Sequence, residues 1–146
     1  MHSLLGMWSL VDWRRVGNDG KTVHPLGENP VGLLVYLPGG AMIVQMLAKD
    51  RPLIKSTDPI GGSIDERAQA YSTCLAYFGT FKVVGDKVEH DIEASLYPNW
   101  SAKLTSRGYA FENGQLVLRT DPAIIDGVSV VNEMYWERPA AAIPSA

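Results

Sequence analysis

The sequence predicts an all-β fold, an eight-stranded antiparallel up-and-down β-barrel with one helix inserted between strands three and four. Three observations predict it. Turn residues divide the chain at short intervals, the segments between them have strand patterns, and one segment has helical spacing instead. Eight strands joined mainly by hairpins suit a closed barrel, whose interior can hold one ligand. A two-sheet sandwich has similar signals and is the structural alternative.

Turns that contain glycine mark the strand ends most clearly. Asn113-Gly114 lies between two apolar segments and is a strong signal for a tight primed hairpin turn. Gly85-Asp86 and Pro38-Gly39-Gly40 separate two further pairs of strands, because glycine permits positive φ. The eight predicted strands cover about residues 7–14, 32–37, 41–48, 79–84, 87–96, 103–111, 115–120 and 129–137.

The segment between the third and fourth predicted strands shows no strand alternation. Ser63 and Glu66 have the spacing of a capping box, and Gly79 is a natural stop signal, so we predict a helix over residues 64–77. Such an insert either covers an end of the barrel as a lid or lies against its outer wall as a buttress. The apolar residues that recur at helical spacing are Ile64, Ala68, Tyr71, Leu75 and Phe78.

Length and charge restrict the class of protein. The 146 residues suit one β-barrel domain over residues 1–138, followed by a Pro/Ala-rich tail over residues 139–146 that we expect to be flexible. The formal net charge is -3 with no basic cluster, which argues against a nucleic-acid partner. No signal peptide or apolar run of about 20 residues is apparent, so no membrane partner is expected. With Cys74 as the single cysteine, we expect a cytoplasmic monomer or homodimer.

Short motifs at both ends resemble the lipocalin superfamily. Gly6-Met7-Trp8 opens the first predicted strand and Tyr135-Trp136-Glu137-Arg138 closes the last. The resemblance implies that Trp8 plugs the closed end of the barrel and that Arg138 lies across its indole, a cation–π contact. The sequence is more closely similar to the small bacterial and fungal lipocalin-like domain proteins. That similarity rests on Leu5-Gly6-Met7-Trp8, Pro25-Leu26-Gly27, Tyr36-Leu37-Pro38-Gly39-Gly40, Asp50-Arg51-Pro52, Tyr77-Phe78-Gly79, His90, Pro98-Asn99-Trp100 and Trp136-Glu137-Arg138.

His90 is the main candidate for a functional residue. Side chains alternate along a strand, and His90 shares its face with apolar residues, so we predict that it faces the interior. Two interpretations remain: a buried histidine satisfied by a neighbouring polar group, or a ligand contact and general acid/base with a pKa near neutral. The apolar residues on the same face are Val88, Ile92, Ala94 and Leu96.

Four further residues are candidates for ligand binding. Tyr36 and Gln45 belong to strands with apolar residues on both faces, so each can point inward or to solvent. Asn99 and Trp100 lie in a loop after the histidine strand, where they could form part of the barrel rim, although packing on the helix would also explain Trp100. Arg107 lies on the more polar face of its strand, so solvent exposure is expected and a buried, carboxylate-binding arginine is the alternative.

Motifs for cofactor chemistry are not recognisable. His2, His24 and His90 lack metal-ligand spacing, and neither a phosphate-binding loop nor a nucleophile elbow occurs. We therefore predict no metal and no cofactor. Cys74 falls within the predicted helix and is expected to be a small buried residue.

The expected function is binding of an apolar small molecule, natural-product or polyketide-like, inside the barrel. The family resemblance implies a link to secondary metabolism, since some members sit beside natural-product genes. The alternative is a cofactor-free isomerase, cyclase or dehydratase that uses His90 as acid/base, with Tyr36, Gln45 or Asn99 orienting the substrate. A structural or interaction module, whose barrel interior would be filled, is the third hypothesis.

Overall fold

The computed structural model describes residues 3–140. The proposed tail therefore lies mostly outside the described residues. One α-helix, α1 (Ile64–Ser72), and one 3₁₀ turn (Pro98–Trp100) accompany ten strands. The strands are β1 (Gly6–Gly17), β2 (Thr22–Val23), β3 (Val31–Tyr36), β4 (Ala41–Leu47), β5 (Cys74–Val84), β6 (Lys87–Ser95), β7 (Lys103–Glu112), β8 (Gln115–Thr120), β9 (Ala123–Ile125) and β10 (Val128–Glu137).

Eight long antiparallel strands close into a barrel. The hydrogen-bonded order is β2-β1-β3-β4-β5-β6-β7-β8-β10-β9, and an additional pairing of β1 with β10 closes the sheet. Closure removes the exposed edges that a sandwich would keep, so the sandwich alternative is wrong. The two strands that the sequence did not predict, β2 and β9, are short extensions paired to β1 and β10.

The helix does not lie between the third and fourth strands of the structure. It follows β4 and precedes β5, because the short strand β2 comes before the two strands that were predicted as second and third. With two residues, β2 is too short to give an alternation pattern. It is held by its pairing with Arg15 and Val16 of β1 rather than by its own sequence.

The helix also ends earlier than predicted. It stops at Ser72, Thr73 is its C-cap, and Cys74 begins β5, so the predicted helix over residues 64–77 is wrong in its last turn. Pairing with β4 overrides the helical spacing there, since Tyr77 pairs with Val44 and both are buried. Gly79 lies within β5 at a bulge rather than ending a helix. A Cβ at this position would collide with the Asp91 carbonyl of β6.

The capping box at the helix start is confirmed. Ser63 Oγ accepts a hydrogen bond from the Glu66 amide at 3.1 Å, and Glu66 Oε1 accepts one from the Ser63 amide at 3.0 Å. Two amide groups that the helix itself leaves unpaired are thereby satisfied. The Ser63 amide and then that of Lys55 donate to the Glu66 carboxylate, which lowers its pKa.

Ser63→Ala tests this cap. We expect a loss of about 0.5–2 kcal/mol in helix stability, because the Glu66 amide loses its acceptor. Native-state hydrogen exchange of the helix amides measures the change. Ser56→Ala is the control, since Ser56 Oγ accepts a bond from the Asp58 amide outside the helix. Equal exchange rates in the Ser63 variant and the wild type would contradict the assignment.

Trp8 plugs one end of the barrel, as the resemblance implied. Its side chain is buried, and its Nε1–H donates to the Leu4 carbonyl at 2.8 Å. The Arg138 guanidinium carbon lies 3.7 Å from the centre of the Trp8 ring. Arg138 also donates to the Met7 carbonyl at 3.0 Å, which ties the last strand to the first. Gly6 has φ 104° and leaves room for the guanidinium.

Candidate functional site

A cavity of about 780 Å³ lies toward the end of the barrel away from Trp8. This volume is within the usual range for small-molecule sites. Trp8 and Leu10 of β1 point into the core. A bulge between Leu10 and Asp12 shifts which side chains of β1 point inward, so that Trp13 and Arg15 line the cavity. The lining is mainly apolar, with Leu26, Met46, Leu75, Leu96, Trp100 and Met134 among its side chains.

The last turn of α1 lies at the cavity. Tyr71 and Ser72 line it, together with Leu26 from the loop between β2 and β3 and Ile125 at the end of β9. No residue of α1 is buried. The last turn of the helix therefore contributes to the cavity lining, while the rest of α1 does not.

Arg107 is a buried cation at this cavity. Its side chain projects from β7, is 5% exposed and lines the cavity. Nη2 donates to Thr105 Oγ1 at 3.2 Å, whereas the buried Nε has no hydrogen-bond partner. The guanidinium carbon lies 6.0 Å from the centre of the Tyr77 ring. The expectation of solvent exposure is therefore wrong, because Arg107 pairs across the sheet with the inward residue Val88.

A buried polar cluster consists of Tyr36, His90 and Tyr77. Tyr36 Oη lies 2.7 Å from His90 Nε2, and Tyr77 Oη lies 2.9 Å from His90 Nδ1. Both ring nitrogens of His90 are therefore occupied. His90 faces inward, as alternation predicted, but it packs in the core and is not among the residues that line the cavity.

Electrostatics keep this cluster neutral. Burial, reinforced by the nearby Arg107 cation, lowers the pKa of His90 well below its usual value. Burial raises the pKa of Tyr36 and of Tyr77, and Arg107 opposes part of the rise at each phenol. A neutral imidazole has one N–H donor and one acceptor nitrogen. One tyrosine oxygen thus accepts a hydrogen bond from the N–H of His90, and the other tyrosine donates its O–H to the second ring nitrogen.

The remaining predicted site residues are scattered. Gln45 is exposed on the outer face of β4, because Met42, Val44 and Met46 take the inward positions. It does not line the cavity, which corrects its assignment as a pocket residue. Asn99 is also exposed, and its amide donates to Tyr97 Oη at 3.0 Å.

Trp100 is the predicted site residue that lines the cavity. It is half-buried, and its ring packs edge-on against Tyr77 at 5.9 Å between centroids and against Tyr97 at 5.6 Å. Tyr77 also contacts His90, so this aromatic contact links the cavity to the buried polar cluster.

No cluster of three or more potential metal-ligating His, Cys, Asp or Glu side chains occurs within residues 3–140. In the same part of the chain, no helix has the length and apolar character needed to cross a bilayer.

The chain is similar to several known proteins. A family model described as a lipocalin-like domain matches residues 5–139. The 4'-hydroxy-3'-methoxypropiophenone carrier protein of Aspergillus oryzae is 27% identical over 106 residues, covering 66% of this chain and 96% of that protein. A solved lipocalin-like protein from Bacteroides uniformis is 12% identical with a TM-score of 0.48, covering 92% of this chain and 97% of that one.

Proposed function

The chain belongs to the lipocalin-like domain family, and from this premise we propose that it binds one mainly apolar natural-product-like molecule inside its barrel. Binding of a small molecule in general is supported by the family and by a distant relative that is a carrier protein. The observation that carries the finer proposal is the cavity of about 780 Å³, whose lining is mainly apolar. Burial of apolar ligand surface in such a space provides the main driving force for binding.

An aromatic ligand suits this lining best. Trp13, Tyr71, Tyr97 and Trp100 all line the cavity, and aromatic pairs gain free energy beyond the area that they bury. The name of the Aspergillus oryzae relative describes it as a carrier of an aromatic ketone, which supports the same ligand class. We therefore infer a compact ligand that contains at least one aromatic ring.

Catalysis by His90 has less support than binding. A general acid/base must reach the reacting proton of its substrate directly or through one water. Both nitrogens of His90 are engaged by buried tyrosines, and its side chain does not line the cavity. We accordingly propose that the chain acts as a binding or carrier protein and assign no acid–base role to His90.

A neutral fluorescent probe tests the proposal. N-phenyl-1-naphthylamine should bind saturably, one molecule per chain, with a rise in emission, and 4'-hydroxy-3'-methoxypropiophenone should displace it. Leu75→Trp, which places a larger side chain in the cavity, should weaken probe binding by about tenfold or more. Ile43→Trp is the matched control, since Ile43 is 56% exposed on the outer face.

The two variants separate binding inside the barrel from binding on its surface. Loss of affinity in Leu75→Trp with unchanged affinity in Ile43→Trp would support the cavity. Equal loss in both variants, or no saturable binding by the wild type, would contradict the proposed function. Thermal melts establish that each variant is folded.

A further inference from the structure

We propose that the ligand carries an acidic group and binds as an anion, with Arg107 as the residue that holds its charge. The inference rests on the proposed function, because it names the charge of the molecule in the same cavity. It starts from a cation that the protein buries without neutralising it.

The hydrogen bonding of Arg107 is incomplete in the described part of the chain. The side chain is 5% exposed, and its Nε has no hydrogen-bond partner. Its Nη2 donates to the neutral hydroxyl of Thr105 at 3.2 Å. A guanidinium does not lose its proton in proteins, so burial leaves a full positive charge with an unmet donor. Such groups are costly unless an acceptor or an anion meets them.

No carboxylate of the described residues 3–140 forms an ion pair with Arg107. The ion pairs found there involve other cations. Asp121 lines the cavity, but its side chain is 67% exposed and pairs with Lys87 at 3.3 Å. The titratable groups that interact with Arg107 are Tyr36, Tyr77 and His90, and burial holds all three neutral. The interior around Arg107 therefore has a net positive charge.

The other cation of the cavity has partners. Arg15 Nε donates to Asn132 Oδ1 at 3.2 Å, and its guanidinium lies 5.8 Å from the centre of the Trp13 ring. Arg107 thus differs from Arg15 in having a buried donor without a partner.

The chemistry of a guanidinium defines the ligand class. Its planar array of N–H donors suits an oxyanion, and hydrogen bonds between charged partners are shorter and stronger than neutral ones. Thr120 lies opposite Arg107 on β8 and lines the cavity, so a further hydroxyl is available at the same place. The geometry points to an aromatic body that bears a carboxylate or an acidic phenol.

A matched pair of probes measures this preference. N-phenyl-1-naphthylamine and 8-anilino-1-naphthalenesulfonate share an arylaminonaphthalene skeleton, and the second carries a sulfonate. Arg107→Gln should lower the affinity for the anionic probe by about tenfold or more, because it removes the positive charge that binds the sulfonate. The affinity of the same variant for the neutral probe should change by less than about twofold. Arg107→Lys should recover part of the lost affinity, and Lys82→Gln, which removes an exposed cation outside the cavity lining, should leave the preference intact.

Competition experiments distinguish a carboxylate ligand from one with an acidic phenol. Displacement of the anionic probe by 1-naphthoate, weakened in Arg107→Gln, would support a carboxylate. The same pattern with 4'-hydroxy-3'-methoxypropiophenone would support an acidic phenol. Displacement that is unaffected by Arg107→Gln for both competitors would overturn the proposal.

The outcomes separate this inference from the proposed function. If the wild type binds the neutral probe and Arg107→Gln weakens both probes equally, Arg107 has a structural role and the anion proposal is overturned, while the binding function stands. If the wild type binds neither probe, the proposed function itself fails. Circular dichroism and thermal melts show whether Arg107→Gln folds. If that variant does not fold, the comparison is made with Arg107→Lys, for which an equal effect on both probes would overturn the proposal.

Discussion

Replacing Trp8 with alanine should lower the free energy of unfolding by about 3–5 kcal/mol. The side chain is 3% exposed, and its removal leaves a large cavity at the closed end of the barrel. It would also remove the surface over which Arg138 lies and the N–H that pairs with the Leu4 carbonyl. Because the first and last strands pair at this end, the loss should affect closure of the whole barrel.

Urea denaturation followed by circular dichroism measures this effect. Trp8→Phe should be less destabilising than Trp8→Ala, since it keeps an aromatic ring but loses the hydrogen bond. Phe78→Ala is a control for loss of an aromatic residue outside the core, because Phe78 is 45% exposed. A nearly neutral Trp8→Ala substitution would remove the argument that this tryptophan closes the barrel.

Replacing His90 with phenylalanine should destabilise the protein even at a pH where histidine is neutral. The imidazole satisfies the buried hydroxyls of Tyr36 and Tyr77, and each stranded hydroxyl costs about 1–3 kcal/mol. The triple variant that also carries Tyr36→Phe and Tyr77→Phe should regain part of the loss, since it has no unmet polar group. Denaturation of the single and triple variants gives the comparison. A triple variant less stable than His90→Phe would contradict a closed polar cluster.

The same histidine should give stability a pH dependence of defined sign. Its pKa is lowered on folding, so the unfolded chain binds a proton near pH 6.5 that the folded chain does not. Stability contributed by neutral His90 is therefore complete above that pH and falls as the pH decreases below it. One proton of difference corresponds to a slope of about 1.4 kcal/mol per pH unit.

Stability curves between about pH 8 and about pH 5 test this linkage. The part of the slope that belongs to His90 should disappear in His90→Phe and remain in His24→Gln, because the side chain of His24 is partly exposed and pairs with Asp12 at the surface. An identical slope in wild type and His90→Phe would show that burial of this imidazole is not linked to proton uptake.

The main strands were predictable because their signals are local. At Asn113-Gly114 both residues have positive φ, 51° and 78°, as a primed turn requires, and β7 and β8 pair directly across it. The helix end was not predictable from local spacing. Residues 74–78 satisfy a helical stripe in sequence, but in the structure they pair with β4, a contact between segments far apart in the chain.

The site was less predictable than the fold, because it depends on which face of each strand points into the barrel. The inward direction of His90 was predicted correctly, since its strand has one apolar face and one charged face, but its side chain packs in the core and does not line the cavity. Gln45 was ambiguous because both faces of β4 are largely apolar. Arg107 was predicted to be exposed to solvent because its strand face looks polar in sequence. In the structure it lies opposite the inward residue Val88 and therefore points inward. Arg107 shares a strand face with Tyr109 and Phe111, which pack on the core. That shared face was the signal in the sequence that Arg107 points inward.

The methionine methyl groups provide the most direct test of ligand binding inside the barrel. Met46 and Met134 line the cavity, whereas Met7 is 47% exposed on the outer face. In a carbon–proton NMR titration with N-phenyl-1-naphthylamine, the methyl resonances of Met46 and Met134 should shift and saturate together, and that of Met7 should stay unchanged. Shifts at Met7 without shifts at Met46 and Met134 would place the ligand on the surface and contradict the proposed function.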